Sequence, residues 1–279
     1  MKERLISAAI GLSLMVMILF FVNHIIFNFA MALIIGLAVY ELLSANPQLK
    51  DKALKLTCIV FSVLVPFFHI DEVYPYVPAI FFVYVLVLLG VFLLRRETVK
   101  IEQVAYGFFC TVLIPLGLGC ILFLRDYNPS ISLIYIVLVF SSAWLADAGG
   151  LFAGKLFGKH KFAPAISPKK TVEGVIGAVV LGTGGSLLVT FLCVEVLPFF
   201  DFPIQINYWA LTGVVFLASC ISIFGDLSAS LIKRQFDLKD FGHILPGHGG
   251  IMDRFDSILL VAPLFLFMVE YFPWIITTL

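Results

Sequence analysis

Charge is what this sequence has least of. Asp, Glu, Lys and Arg make up 13% of its 279 residues and cancel to a formal net charge of zero. A neutral chain lacks the broad positive field that holds nucleic acid, which argues against that class of partner. Cys58, Cys110, Cys120, Cys193 and Cys220 form no CxxC pair and no metal-ligand spacing, so redox and zinc roles give way to small packing residues. No GxxxxGKS sequence occurs, and a P-loop ATPase is not expected. Internal repeats and low-complexity linkers are also missing, which leaves one domain.

What fills the chain is apolar. It is 61% hydrophobic, carries 29 Phe and has a mean hydropathy of +1.08. Apolar runs of about 20 residues cross a bilayer as helices. The expected fold is all-α: a polytopic integral membrane protein with about nine transmembrane helices, near 5–22, 25–43, 55–70, 76–94, 104–124, 131–150, 173–197, 208–231 and 257–276. The first run follows MKER, but no small-residue cleavage pattern follows it, so it is read as retained. Lys and Arg test the count. They fall in alternate connections, from Lys2 and Arg4 through Lys50 to Lys55, Arg95 to Lys100 and Lys155 to Lys170, to Lys233 to Arg254, with Arg125 alone on the other side. That segregation places the N-terminus in the cytoplasm.

Polar residues split this single membrane domain, 1–279, into a helical scaffold, 1–130, and catalytic helices with cytoplasmic loops, 131–279. In the scaffold, Asn23, His24, Asn28, His69, Asp71 and Glu72 read as interfacial loop residues. Tyr40 and Glu41 read as a capped, solvated helix end. Pro66 and Pro115 kink or end their helices. Beyond Ser141, Gly150, Gly154 and Gly158 form a small-residue face for close helix contact. Ser167, Lys169, Lys170, Thr171 and Glu173 then make a polar helix entrance, where free N–H groups and lysines hold phosphate. A merely solvated basic loop is the competing reading.

The stretch from Ser230 to Asp256, SLIKRQFDLKDFGHILPGHGGIMDRFD, concentrates ionisable residues between two apolar segments, where they are costly without a function. Rise per residue puts Asp147 about 24 Å along its helix and Asp226 about 27 Å along its own. Asp253 and Asp256 precede the last span, so four carboxylates share one depth. Asp226, Ser230 and Lys233 lie on one helical face. Salt bridges to Lys233 and Arg254 are one account of these acids; a divalent-metal site is the other. Oxygen donors alone favour a hard ion such as Mg²⁺, with room for a second cation at Asp226 and Asp253. Lys233, Arg234, Lys239 and Arg254 would neutralise phosphate. Gly247, Gly249 and Gly250 would admit it close to the backbone, and His248 would donate to it. At headgroup depth, phosphoryl or nucleotidyl transfer between a soluble nucleotide and a lipid is the natural class.

The same block resembles the signature of the phosphatidate cytidylyltransferases, or CDP-diacylglycerol synthases. Ser230, Ile232, Lys233, Arg234, Lys239, Asp240, Gly242, Leu245, Pro246, His248, Gly249, Gly250, Ile251, Asp253, Arg254, Phe255 and Asp256 meet every element of that pattern. Asp147, SPKKTVEG and FGDLSAS around Asp226 also look like family motifs, so the resemblance covers about residues 141–260. It implies that CTP and phosphatidate give CDP-diacylglycerol and pyrophosphate with Mg²⁺. The implied metal ligands are Asp226 and Asp253, supported by Asp256 and Asp147. Catalytic roles are implied for Asp226, Asp253, Lys233 and Arg254, and substrate contacts for Ser167, Lys170, Thr171, Ser230, Arg234, Lys239, His248, Gly249 and Gly250. The implied location is a bacterial cytoplasmic membrane with the site facing the cytoplasm, and a homodimer is compatible with it. A CTP-dependent polyprenol kinase would use a similar nucleotide site but transfer the γ-phosphate. A secondary transporter would also bury acids, though at the midplane and between inverted repeats, neither of which is visible.

Overall fold

The computed structural model describes residues 25–196, 204–244, 249–272 and 274–277. The expected first span, Asn23, His24, Leu245, Pro246, Gly247 and His248 lie outside them. Among the described residues the helices are α1 (Ile25–Ala45), α2 (Lys52–Leu64), α3 (Val77–Leu94), α4 (Ile101–Tyr127), α5 (Ser132–Phe157), α6 (Val172–Phe191), α7 (Tyr208–Gln235), the single turn α8 (Met252–Phe255) and α9 (Ile258–Tyr271). Six stretches are long and apolar enough to cross a membrane: Ile25–Ala45, Tyr74–Leu94, Ile101–Tyr127, Ser132–Phe157, Val172–Glu195 and Tyr208–Gln235. Large apolar side chains stand exposed along them, among them Phe82, Leu86 and Leu93 on α3 and Ile176 and Val180 on α6. Such a surface is stable against hydrocarbon rather than water. The chain is a polytopic, essentially all-α membrane protein.

Two expected spans are shorter than their apolar runs. α2 has 13 residues and α9 has 14. At 1.5 Å per residue these reach about 20 and 21 Å, against a hydrocarbon core of about 30 Å. Asp51 starts α2 by accepting the Leu54 N–H at 2.9 Å. Pro66 stops it, because its ring removes a donor and crowds the preceding turn, and the chain passes into a 3₁₀ turn, Val65–Phe67. Asn28 donates to the Pro66 carbonyl at 2.8 Å. It is therefore a buried residue of α1 that satisfies a backbone group near the break, not the interfacial loop residue expected. At the far end, residues assigned to the last span leave the helix. Ile275–Thr277 forms β4, antiparallel to β3 (Ile204–Ile206).

Backbone packing divides the chain into two compact units, residues 1–122 with 233–255, and residues 123–232 with 256–279. In the first, Phe61 of α2 stacks on Tyr84 of α3 with ring centroids 4.0 Å apart. The Tyr84 hydroxyl shares a 2.6 Å hydrogen bond with Thr111 of α4. Tyr106 of α4 donates to the Leu42 carbonyl of α1 at 2.8 Å. Cys58, Cys110 and Cys120 are buried and free, as packing residues should be.

The second unit is built on backbone contact between α5 and α6. A Cβ at Gly149 would strike the Gly177 carbonyl, and one at Gly174 would stand 2.9 Å from the Gly150 oxygen and 3.3 Å from the Gly154 Cα. The small-residue face read from Gly150 and Gly154 is thus a packing face, with Gly149, Gly174 and Gly177 completing it. The basic connection between these helices is not a plain loop. β1 (Lys161–Ala163) and β2 (Ser167–Thr171) pair as an antiparallel hairpin that delivers the chain to α6.

Candidate active site

Three of the four expected acids belong to the second unit. α5 carries Asp147, α7 carries Asp226, and Asp256 lies at the turn into α9. Ser257 donates its hydroxyl towards both Asp147 oxygens, at 3.4 and 3.3 Å, and its own N–H to Asp256 Oδ1 at 2.8 Å. Asp147 is exposed and within electrostatic reach of Asp226, Asp256 and Lys170. Gly225 makes this approach possible. A Cβ there would stand 2.9 Å from the Asp256 carbonyl oxygen and 3.1 Å from the Ser257 Cα. Among the described residues, no three His, Cys, Asp or Glu side chains are arranged as a metal-holding group.

β2 supplies the cation for these acids. Lys170 Nζ lies 2.7 Å from Asp226 Oδ2, with both side chains partly exposed, and Ser230 donates to Asp226 Oδ1 at 3.5 Å. Thr171, also expected at a phosphate site, is buried and spends its hydroxyl on the helix start, accepting the Gly174 N–H at 3.1 Å. Glu173 accepts the Lys159 N–H at 3.1 Å and meets His160 Nδ1 at 2.6 Å, which ties the turn before β1 to the first turn of α6. Ser167 is half-buried at the start of β2.

The fourth acid, Asp253, belongs to the first unit, and three groups hold it. Lys233 Nζ donates to Oδ1 at 2.8 Å, while Oδ2 accepts the N–H of Phe241 at 2.9 Å and of Gly250 at 3.0 Å. The pair is enclosed: the two side chains are 11% and 4% exposed. The Lys233 ammonium also lies 5.1 Å from the Phe241 ring centroid, close enough for a cation–π contribution. The salt-bridge account is therefore realised for Asp253 through Lys233. α7 ends in a turn in which Asp237 takes a positive φ of 54° and Arg234 donates to the Leu238 carbonyl at 3.1 Å. Gly249 has φ +84°, a conformation that suits glycine, and a Cβ there would stand 3.0 Å from Asp253 Oδ2. Arg234, Lys239 and Arg254 are exposed around this loop, and Gly250 is buried within it.

One participant was missed. Glu41 is not a solvated helix end: it is 2% exposed, and its Oε2 accepts the Met252 N–H at 2.9 Å. The signal that could have found it is its sequence position, an acid inside an apolar helix of a chain with few charges.

The sequence profile of the cytidylyltransferase family matches residues 2–272. The phosphatidate cytidylyltransferase of Staphylococcus aureus (strain COL) is 43% identical over 157 residues, 56% of either chain. That of Staphylococcus haemolyticus (strain JCSC1435) is 40% identical over the same length. The chain thus spans about half the length of these staphylococcal relatives. The phosphatidate cytidylyltransferase of Bacillus subtilis (strain 168) is 32% identical over 280 residues, 98% of either chain. With a profile covering nearly the whole sequence and a relative aligned end to end, the chain belongs to the cytidylyltransferase family.

Proposed function

We propose that the protein is a phosphatidate cytidylyltransferase, joining CTP and phosphatidate into CDP-diacylglycerol and pyrophosphate for phospholipid synthesis. The observation that carries this reading is the 98% alignment with the Bacillus subtilis enzyme of that name. A phosphate oxygen of phosphatidate attacks the α-phosphorus of CTP in line. The new P–O bond forms as the bond from the α-phosphorus to the α,β-bridging oxygen breaks, and the electron pair leaves with pyrophosphate. The attacking group is already an anion, so no protein nucleophile is required.

Although no three of the described acids form a metal-holding group, Asp147 lies in electrostatic range of Asp226. Such a pair of oxygen donors fits a hard divalent cation such as Mg²⁺, which typically takes only one or two carboxylates before substrate phosphates and water complete its shell. Asp256, also in range of Asp147, would support it. When bound, that ion supplies Lewis-acid withdrawal of charge from the phosphates. Lys170, held beside Asp226, contacts phosphate oxygens, with Ser167 and the Thr171 turn shaping its approach. In the signature block, Lys233, Arg234, Lys239 and Arg254 neutralise phosphate charge. Gly249 and His248 provide backbone and side-chain donors, and Gly250, whose N–H is held by Asp253 Oδ2, keeps the loop backbone in place beside them. The metal role that the resemblance gives Asp253, and the second cation, belong to the same proposal.

The reading also includes about nine membrane segments, of which α2 and α9 are too short as helices to cross the hydrocarbon core by themselves. The N-terminus and the basic connections lie in the cytoplasm of a bacterium, with its inner membrane as the host bilayer. Cysteine accessibility scanning at Lys50 and Arg125 reads that orientation, and cross-linking in the membrane reads a homodimer. The decisive assay uses purified protein with phosphatidate, Mg²⁺ and CTP labelled at either the α or the γ phosphorus. α-Label in CDP-diacylglycerol is expected; γ-label alone in lipid rejects the reading in favour of a kinase.

A further inference from the structure

The carboxylate of Glu41, near the end of α1, sits inside the signature block. Its Oε2 accepts the Met252 N–H at 2.9 Å, and its buried Oε1 has no hydrogen-bond partner. A Cβ at Gly242 would fall on Oε1, and one at Gly250 would fall on Oε2. These two glycines therefore make the space the carboxylate occupies, which gives them a reason beyond approach to a ligand. A buried acid with an unmet oxygen is costly, and a simple packing residue would not carry that cost.

Its location explains what it acts on. Met252 directly precedes Asp253, and Gly250 donates to Asp253 Oδ2. The turn from Gly249 to Asp253 is therefore held by two carboxylates, Glu41 through the Met252 N–H and Asp253 through the N–H groups of Gly250 and Phe241. We propose that Glu41 is a positioning residue for CTP binding, fixing the backbone of the Gly249–Asp253 turn without touching the nucleotide. This rests on the cytidylyltransferase reading above. Oε2 sets the turn, while the carboxylate's bulk against Gly242 and Gly250 keeps the chain from collapsing inward.

The test compares Glu41→Ala and Glu41→Gln in the full-length protein, by steady-state kinetics and by amide hydrogen exchange over residues 249–253 without substrate. Glu41→Ala is expected to raise KM for CTP about tenfold, the scale of one hydrogen bond to a charged group, and to leave KM for phosphatidate unchanged. Exchange in the turn accelerates. Glu41→Gln keeps an acceptor for Met252 at nearly the same volume and restores both readouts. Where Glu41→Ala does not fold, Glu41→Asp, one methylene shorter, takes its place with the same expected outcomes. Unchanged exchange in the shortened variant, an equal rise in both KM values, or failure of Glu41→Gln to restore them overturns the inference. A wild-type protein that makes no CDP-diacylglycerol removes the reaction reading instead, and the exchange measurement still decides the role of Glu41 in the turn.

Discussion

Replacing Lys233 with Met tests how the signature block is held. Met keeps much of the length and apolar stem of Lys but removes the ammonium, which lies 2.8 Å from Asp253 Oδ1 and 5.1 Å from the Phe241 ring centroid. Asp253 would keep the N–H groups of Phe241 and Gly250 but lose its counter-charge in a site where its side chain is 4% exposed. Removing one partner of an enclosed pair costs about 3–5 kcal/mol. The two remaining N–H donors favour the lower end, because hydrogen bonds to a charged group contribute about 1.5–3 kcal/mol each. Adding Asp253→Asn should then cost less than it does in the wild type, since a neutral amide needs no ammonium. The coupling expected for contacting residues is about 0.5–3 kcal/mol. Denaturant unfolding in detergent of the two single variants and the double variant measures it. A Lys233→Met protein within about 0.5 kcal/mol of wild type, or strictly additive variants, refutes the reasoning.

Other sites give sharper single readouts. Gly177→Ala places a methyl on Ala153 of α5, and overpacking of this kind should destabilise the second unit by about 1–3 kcal/mol in the same unfolding assay. Asn28→Ala leaves the buried Pro66 carbonyl without its donor, for a loss of about 1–3 kcal/mol; unchanged stability would show that the hydrogen bond is not needed near the α2 break. Lys170→Gln removes the cation beside Asp226, and cytidylyl transfer should fall at least about tenfold while the protein still inserts and folds, as judged by circular dichroism. Asp253→Asn should abolish transfer without unfolding the chain, and full activity at excess Mg²⁺ would remove its metal role.

The signature block was legible because charged residues in an apolar chain announce themselves, and the competing salt-bridge account even named Lys233. The glycine face of α5 was legible for a related reason: residues four apart share a side, and small ones admit a neighbouring backbone. The lengths of α2 and α9 were not, because an apolar run measures transfer to lipid and says little about where the backbone leaves the helix. Pro66 marked one such place; nothing in the composition of residues 275–277 marked their pairing with residues 204–206. The β1–β2 hairpin was hidden by its own prolines, because proline is depleted in strands, and yet Pro168 sits within β2. Glu41 was misread because its partner is remote. Local context at the end of α1 describes a cap, and no local pattern points to Met252.

That remoteness has a consequence during synthesis. Glu41 and Met252 are 211 positions apart in the chain. At about 5–20 residues per second, the ribosome releases Glu41 roughly 10–40 s before the amide it is to accept. The helices α1 to α3 and the part of α4 in this unit are made well before that amide, while its last segment, with α8, is still to come. For that interval a nascent chain in the membrane carries an acid with no seat, open to water, lipid headgroups or the insertion apparatus. Completion of this unit therefore waits for the synthesis of residue 252, and a chain released before it would be left with that acid unseated.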